Sequence, residues 1–181
     1  MRFLLPILIA AALAACGQTT AVNEAPQRAE ANVTADPAVA LAATPPPGVY
    51  SAISNTAASI TGDLTLNDAT LSFGRGQVYT TERMGGLPGA QEYAQGSGPL
   101  ADVMGVPANQ GIELRRVTAV TGRASGLCGA DDVTFVTLAA GTDSTGMPAL
   151  WLAAFKGANP PGPNGQLLDL CGVFTYAPAS L

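Results

Sequence analysis

The sequence contains no histidine, and this absence removes a large group of enzyme mechanisms. Imidazole is the usual general base of serine and cysteine hydrolases and a common zinc ligand, so triads, cysteine–histidine pairs and histidine zinc sites are excluded. Charged residues make up only 12% of the chain, lysine occurs once, and the formal net charge is −5 without any basic cluster. We therefore predict no catalytic residue, no metal ligand, no cofactor and no nucleic-acid partner.

Cysteine is also scarce, with three residues at Cys16, Cys128 and Cys171. The spacing contains no Cys-x-x-Cys motif, which argues against a redox or metal-binding pair. If Cys16 is used elsewhere, an even pair remains in an exported chain, and such a pair is most simply a disulfide. The sequence therefore predicts a Cys128–Cys171 disulfide.

The first residues carry the strongest motif. Arg2 precedes an apolar run from Phe3 to Ala15, which is typical of a secretory signal peptide and too short for a mature membrane span. The run ends in Leu13-Ala14-Ala15-Cys16-Gly17, which resembles a bacterial lipobox. The resemblance implies removal of residues 1–15 and acylation of Cys16, which would become the new N-terminus. The alternative is an ordinary secreted protein cut after Ala15.

A lipobox implies attachment to a membrane through lipid, since two or three acyl chains anchor a protein stably where one does not. Gly17 stands where enteric lipoproteins that stay at the inner membrane commonly have Asp. For a Gram-negative host, the expected location is the outer membrane, with the protein facing the periplasm.

Composition divides the rest of the chain in two. Residues 16–47 contain no aromatic residue and end in Pro45-Pro46-Pro47. Such a segment buries too little apolar surface to offset the entropy lost on ordering, so it predicts a disordered tether. Residues 48–181 hold all the aromatic residues of the mature chain and are long enough for one domain.

The sequence pattern of this domain predicts β-strands, because short runs of β-branched and aromatic residues alternate with Gly, Pro, Asn and Asp. Short connections such as Gly74-Arg75-Gly76 favour antiparallel neighbours. We predict an all-β fold, a small antiparallel barrel or sandwich of about seven or eight strands. The predicted strands are Tyr50–Ser54, Ser59–Leu66, Thr70–Phe73, Gln77–Glu82, Ile112–Thr121, Val133–Ala139, Ala149–Lys156 and Leu168–Tyr176.

One connection is longer than a meander requires. Residues Arg83–Gly111 are rich in glycine, with a short helix predicted at Pro99–Met104. Long connections in compact domains are often functional, so a partner-binding role is predicted for Tyr93, Leu100 and Met104 in this loop. Lys156, at the end of the seventh strand, is a further candidate, and its alternative role is a charge that blocks edge pairing.

The other charged and apolar clusters favour structural roles. Asp131 and Asp132 are adjacent, so in a strand they would point to opposite faces and could not converge as an acid–base pair. Arg115 and Arg116 have the same geometry, which predicts one solvated arginine and one at a barrel mouth or paired with Glu113 or Asp169. Trp151 and Phe155 share one face of a strand whose other face is also apolar, as in a central strand buried on both sides.

A second resemblance concerns residues 69–79, Ala-Thr-Leu-Ser-Phe-Gly-Arg-Gly-Gln-Val-Tyr, followed by Gly89-Ala90-Gln91-Glu92-Tyr93. These stretches are similar to the central part of the membrane-bound lysozyme inhibitors. The family consists of β-barrel lipoproteins in which a serine-containing loop and a Trp-x-Lys-Gly motif enter the lysozyme active site. This chain has Leu87-Pro88-Gly89 in place of the serine loop, and its Lys156-Gly157 pair lies far downstream.

These observations predict an envelope lipoprotein, with a non-catalytic β domain that binds a protein partner or has a structural role. The alternative function is that of a periplasmic lysozyme inhibitor. A hydrolase is less favoured, because a serine–lysine dyad would depend on Lys156 alone and no nucleophile motif surrounds a serine.

The anchor can be tested directly. We expect Cys16→Ser to abolish acylation and to leave the precursor uncleaved by the lipoprotein signal peptidase, because the cysteine sulfur accepts the acyl group. Metabolic labelling with a fatty-acid analogue measures this, with Cys128→Ser as the control that keeps its label. Label retained by Cys16→Ser would show that the motif is not a lipobox.

Overall fold

The computed structural model describes residues 44–123 and 126–179. The predicted signal peptide, the acylated Cys16 and nearly all of the predicted tether lie outside these residues. Within them, the chain forms a closed antiparallel barrel in which eight strands follow one another in sequence order. The strands are β1 Gly48–Ala52, β2 Leu64–Leu66, β3 Thr70–Phe73, β4 Gln77–Pro88, β5 Gly111–Gly122, β6 Phe135–Thr142, β7 Pro148–Phe155 and β8 Leu170–Pro178.

Closure comes from the pairing of β1 with β8, and all eight pairings are antiparallel. In such an up-and-down barrel, successive connections alternate between the two ends. We call the end at which Gly48 enters β1 the proximal end. The opposite, distal end carries the connections β1–β2, β3–β4, β5–β6 and β7–β8. The predicted all-β class is confirmed, and the barrel is the correct one of the two predicted architectures.

The interior of the barrel is filled with side chains. Leu64, Leu71, Leu138, Leu152 and Phe174 are each at most 1% exposed and belong to one apolar cluster. A small barrel of eight strands has an interior just wide enough for such side chains. The interior is therefore a packed core.

A second apolar cluster lies outside the barrel wall. Trp151 and Phe155 point outward from β7 and pack against Leu100 and Met104. These two residues belong to a short helix, α2 (Leu100–Met104), within the connection from β4 to β5. The connection therefore lies over the barrel wall, and the prediction that β7 is buried on both sides is confirmed.

The predicted strand bounds differ from the observed ones most at two places. The strand predicted at Ser59–Leu66 is confined to Leu64–Leu66, because helix α1 (Asn55–Ile60) occupies the preceding residues. The Ser54 side chain caps this helix by accepting a hydrogen bond from the Ala57 amide at 3.1 Å. In addition, β4 runs on to Pro88 instead of stopping at Glu82, since bulges let it follow β5 to the proximal end.

At the start of the domain, ordered packing begins a few residues before β1. Pro45 is buried, and the Tyr50 hydroxyl donates to the Pro46 carbonyl oxygen at 2.6 Å. The proline run that the sequence assigned to the tether thus contributes its last residues to the proximal end of the barrel.

The predicted disulfide is present at the distal end. Cys128, between β5 and β6, is bonded to Cys171 in β8, with their α-carbons 4.9 Å apart. It joins the β5–β6 connection to the start of β8, and among the described residues no β ladder links β8 to β5 or β6 directly.

Reduction of this disulfide should destabilise the domain. The bonded cysteines are 43 residues apart, and the chain-entropy relation gives about 4 kcal/mol for a loop of that length. We expect the melting temperature to fall by about 10 °C on reduction. A Cys128→Ala, Cys171→Ala double variant is the control, because its melting should not respond to reductant. Two titratable thiols in the unfolded, unreduced protein would contradict the bond.

Candidate functional site

Three aspartates of the β domain, Asp63, Asp68 and Asp131, lie in three different connections. Asp63 Oδ1 accepts a hydrogen bond from the Ala52 amide at 2.9 Å and so ties β1 to the start of β2 at the distal end. Asp68 lies at the proximal end, in the turn between β2 and β3. Asp131 Oδ2 is 2.5 Å from the Lys156 ammonium group. No two of these carboxylates converge on a common reaction centre.

The most unusual polar group is an ion cluster inside the proximal half of the barrel. Glu113 and Arg115 point inward from β5 and are almost completely buried, and their side chains form a hydrogen-bonded ion pair. Arg83 Nε on β4 is 3.3 Å from the second carboxylate oxygen of Glu113. The prediction that one of the paired arginines contacts Glu113 is thus confirmed, and Arg116 is the solvated one.

Arg115 also fastens the neighbouring turn. Its Nη1 donates to the Asp68 carbonyl oxygen at 2.8 Å and lies 3.4 Å from the Thr81 hydroxyl. Arg116, one residue later, points outward and lies over the ring of Phe135 at 6.0 Å.

A buried charge is tolerated when it is paired. Here Glu113 Oε1 is hydrogen-bonded to Arg115, and Oε2 has Arg83 as its ion-pair partner without a hydrogen bond. The geometry of the ion cluster fits a structural role, because it links β4, β5 and the turn between β2 and β3.

Two buried tyrosines connect the barrel to the segments that close its distal end. The Tyr176 hydroxyl is 2.8 Å from the hydroxyl of Thr61, which follows α1, and the Tyr79 hydroxyl accepts from the Leu127 amide at 3.1 Å. Burial raises the pKa of both phenols above the ordinary value for tyrosine. Both therefore remain protonated at neutral pH and act as hydrogen-bonding groups, not as nucleophiles.

The loop that was predicted to bind a partner is folded onto the barrel. Leu100 is completely buried and Met104 is 2% exposed, because α2 packs against the outer face of β7. These two side chains already belong to the core and are not accessible to a partner in this conformation, so their partner-binding role stays a prediction. Tyr93 is half-buried against Phe155, with ring centroids 6.4 Å apart, and its partner-binding role stays a prediction.

The connection between β7 and β8 meets this loop on the outside of the barrel. The Gly162 amide donates to the Tyr93 carbonyl oxygen at 2.9 Å, and the Gln91 side chain lies 3.4 Å from the Pro161 carbonyl oxygen. This connection, which carries Pro160, Pro161 and Pro163, is therefore held against the β4–β5 connection.

An exposed apolar feature stands at the end of that connector. Leu167 and Leu168, in a short 3₁₀ helix (Leu167–Asp169), are 54% and 83% exposed. Lys156 lies beside them, because its amide donates to the Asp169 carbonyl oxygen at 2.8 Å. We call Asp131, Lys156, Leu167, Leu168 and the adjoining disulfide the distal rim.

The distal rim is held by short-range contacts. Lys156 pairs with Asp131, the disulfide joins the β5–β6 connection to the start of β8, and Asp169 Oδ2 accepts from the Gln166 amide at 3.0 Å. Sequence reasoning identified Lys156 and both cysteines but missed the leucine pair, since Leu168 was assigned to the eighth strand. Adjacent apolar residues before a strand carry no signal that distinguishes exposure from burial.

A shallow cleft at the proximal end is the other concave feature of note. It is lined by Gly105, Pro107, Thr142, Asp143, Ser144 and Trp151. Hydrogen bonds from the Thr145 side chain and from backbone amides of its turn hold the pKa of Asp143 below its usual range. The carboxylate is thus used within its own turn, between β6 and β7.

Comparisons with known proteins add no assignment: a scan against protein-family models, a search of curated proteins and a search of solved structures each return no match. In the part of the chain that the structure describes, no helix has the length and apolar content that crossing a bilayer requires. Over those same residues, no three side chains of the metal-binding types come together as ligands.

The ion cluster gives a stability prediction. Arg115→Met should cost about 3–5 kcal/mol of the free energy of unfolding, because it leaves the Glu113 carboxylate buried without its main partner. The exposed Arg116→Met is the matched control, with an expected change within about 0.5 kcal/mol. Urea denaturation measures both.

A double variant separates the pair from the packing around it. Glu113→Leu combined with Arg115→Met should recover much of the loss, because no unpaired charge then remains in the barrel. Equal losses in the free energy of unfolding for Arg115→Met and Arg116→Met would contradict the structural role of the ion cluster.

Proposed function

We propose that this protein is a lipid-anchored component of the bacterial cell envelope whose β barrel binds a protein partner through the distal rim. In this proposal Cys16 carries the acyl chains, residues 16–47 are the tether, and the barrel faces the periplasm from the outer membrane. The alternative within the same class is a purely structural role in the envelope. Neither needs a cofactor or a catalytic residue.

The observation that carries the proposal is the exposure of Leu167 and Leu168 on a rim fixed by covalent and ionic contacts. Leaving a leucine in water forgoes about 1.5–3 kcal/mol that burial would provide. Two adjacent leucines displayed on a well-held loop therefore fit a surface that a partner covers. Lys156 beside them would supply orientation through charge.

The position of the rim supports the same proposal. The chain enters the barrel at the proximal end, and the rim lies at the other end of the strands. A protein attached through its N-terminus would thus present the rim away from its point of attachment.

The alternative function, that of a lysozyme inhibitor, is favoured by the turn at Lys156-Gly157. Lys156-Gly157 begins a distal loop, and Gly157 has a φ of +102°, a backbone conformation that glycine adopts readily. A lysine at such a turn would suit an acidic active-site cleft if it exchanged its ion pair with Asp131 for one with the cleft. Failure to inhibit any lysozyme at micromolar concentration would remove this alternative and leave the lipoprotein proposal intact.

Partner binding can be tested in cells by photocrosslinking. We expect a photoreactive amino acid at position 168 to give a specific protein adduct in the envelope. The same amino acid at position 49 should give none, although Val49 is 53% exposed, because it lies on the barrel wall away from the rim. Leu167→Ser in the position-168 protein should reduce the adduct without lowering the melting temperature. If the photoreactive amino acid gives no adduct at position 168 and none at position 156, the proposed binding surface is contradicted.

A further inference from the structure

One strand of the barrel has a free edge. β5 pairs with β6 only from Glu113 to Arg116, whereas it pairs with β4 as far as Gly122. The Val117 amide still donates to the Thr134 carbonyl oxygen. Beyond this bond, the chain that precedes Thr134 turns inward over the distal end, where Val133 is buried. Among the described residues, Thr118–Gly122 therefore have a strand partner on one side only.

The composition of this edge is unusual for an unpaired strand. Thr118–Gly122 reads Thr-Ala-Val-Thr-Gly, all five residues are exposed, and none is charged or proline. Natural proteins usually protect exposed edges with lysine, proline, bulges or inward-pointing charges. The only such device here is a bulge at Thr118, where the edge begins.

A second free edge in the same molecule shows the contrast. At the proximal end, β4 continues beyond its pairing with β3 through Glu82–Pro88. That edge carries Glu82 and Arg83, a bulge at Met84, and Pro88. One edge of the β4–β5 ribbon is thus protected by several devices, and the other remains suited to strand addition.

Charge at the ends of the free edge defines what it would accept. Arg116 and Arg123 bracket Thr118–Gly122, both are exposed, and neither makes an ion pair with a described residue. At about 3.3 Å per residue, the two arginines are about 23 Å apart along the strand. Glu82 on β4 lies opposite Arg116 and offsets its charge. The excess of positive charge is therefore at Arg123.

We infer that the free edge of β5 binds an extended polypeptide segment that adds a ninth strand, with a short uncharged stretch and an acidic residue at the end that meets Arg123. Backbone hydrogen bonds to Thr118–Gly122 would supply affinity, and the carboxylate would set direction and register. This inference rests on the proposal that the domain binds a protein partner, and it adds the chemistry of that partner.

A second copy of this chain is a less suitable occupant. A two-fold axis that pairs two antiparallel strands passes through one residue pair, and an axis at Val120 overlaps all five residues of the edge. That register would place Arg123 of each copy opposite Val117 of the other, so the charge of Arg123 would meet no carboxylate. The charge pattern favours an acidic segment over self-association.

The inference can be tested with synthetic peptides and the full chain purified in detergent. The probe is a blocked peptide of alternating valine and threonine with a glutamate at each end, and its binding is followed by fluorescence anisotropy. The same peptide with lysine at each end, and one with methylated backbone amides, should bind at least about tenfold more weakly. Methylation removes the donors that strand addition requires.

Variants of the protein locate the site. Val120→Asp should weaken binding of the acidic peptide at least about tenfold, whereas Val49→Asp should change it less than about twofold. The two valines are similarly exposed, at 48% and 53%, but β1 is paired with both β2 and β8. Arg123→Glu should reverse the preference, so that the lysine peptide binds better than the glutamate peptide.

Three outcomes would overturn the inference. They are equal binding of the methylated peptide, equal effects of Val120→Asp and Val49→Asp, and a peptide-independent dimer that Val120→Asp dissociates, which would make a second copy the occupant. A specific adduct at position 168 together with any of these would leave the proposed function standing. Absence of any envelope adduct would remove the proposed function itself.

Discussion

The structure depends on burying strand β7 on both of its faces. Its inner face presents Leu150, Leu152 and Ala154 to the barrel interior, and its outer face presents Trp151 and Phe155. Each large side chain contributes about 1.5–3 kcal/mol when it leaves water, so neither face can be left solvated at low cost. Closure of the barrel covers the inner face, and the outer face requires a separate cover.

The long connection between β4 and β5 provides that cover. It places α2 over β7, and the connection between β7 and β8 then closes onto Tyr93 by backbone hydrogen bonds. Closure of the barrel also dictates how the buried charged side chains are arranged. Because the barrel is closed and filled, the only way to keep Glu113 and Arg115 inside is to pair them with each other and with Arg83. The result is a filled barrel that displays Leu167 and Leu168 on the distal rim and Val120 on a free strand edge.

Much of the fold is predictable from the sequence because the local signals agree with the tertiary environment. β3 and its glycine turn, the Pro99–Met104 helix and the doubly apolar β7 all match their predicted positions. The short helix α1 was missed because it buries little beyond Ala57, so its residues lack a clear helical period. The packing of Leu100 and Met104 was also not predictable, since glycine-rich loops do not reveal which surface they cover.

The candidate sites were less predictable, for physical reasons. Pairing of Arg115 with Glu113 was one of three places predicted for the second arginine, and it agrees with strand alternation, because residues two apart share a face. The exposure of Leu168 and the free edge of β5 depend on where neighbouring strands begin, and β6 begins only at Phe135. No property of residues 118–122 themselves encodes the absence of a neighbour. Such sites emerge only when the lengths of adjacent strands are compared.

The central claim is a closed, filled barrel in which the β5 edge at Thr118–Gly122 is unprotected, and residue-resolved native-state hydrogen exchange tests it most directly. The account predicts that amides of β7 exchange only through global unfolding. Within Thr118–Gly122, amides that point toward β4 should be protected and those that point away should exchange rapidly, in an alternating pattern. Protection of every amide in Thr118–Gly122 to the level of β7 would contradict the account, because it would mean that this edge is already paired.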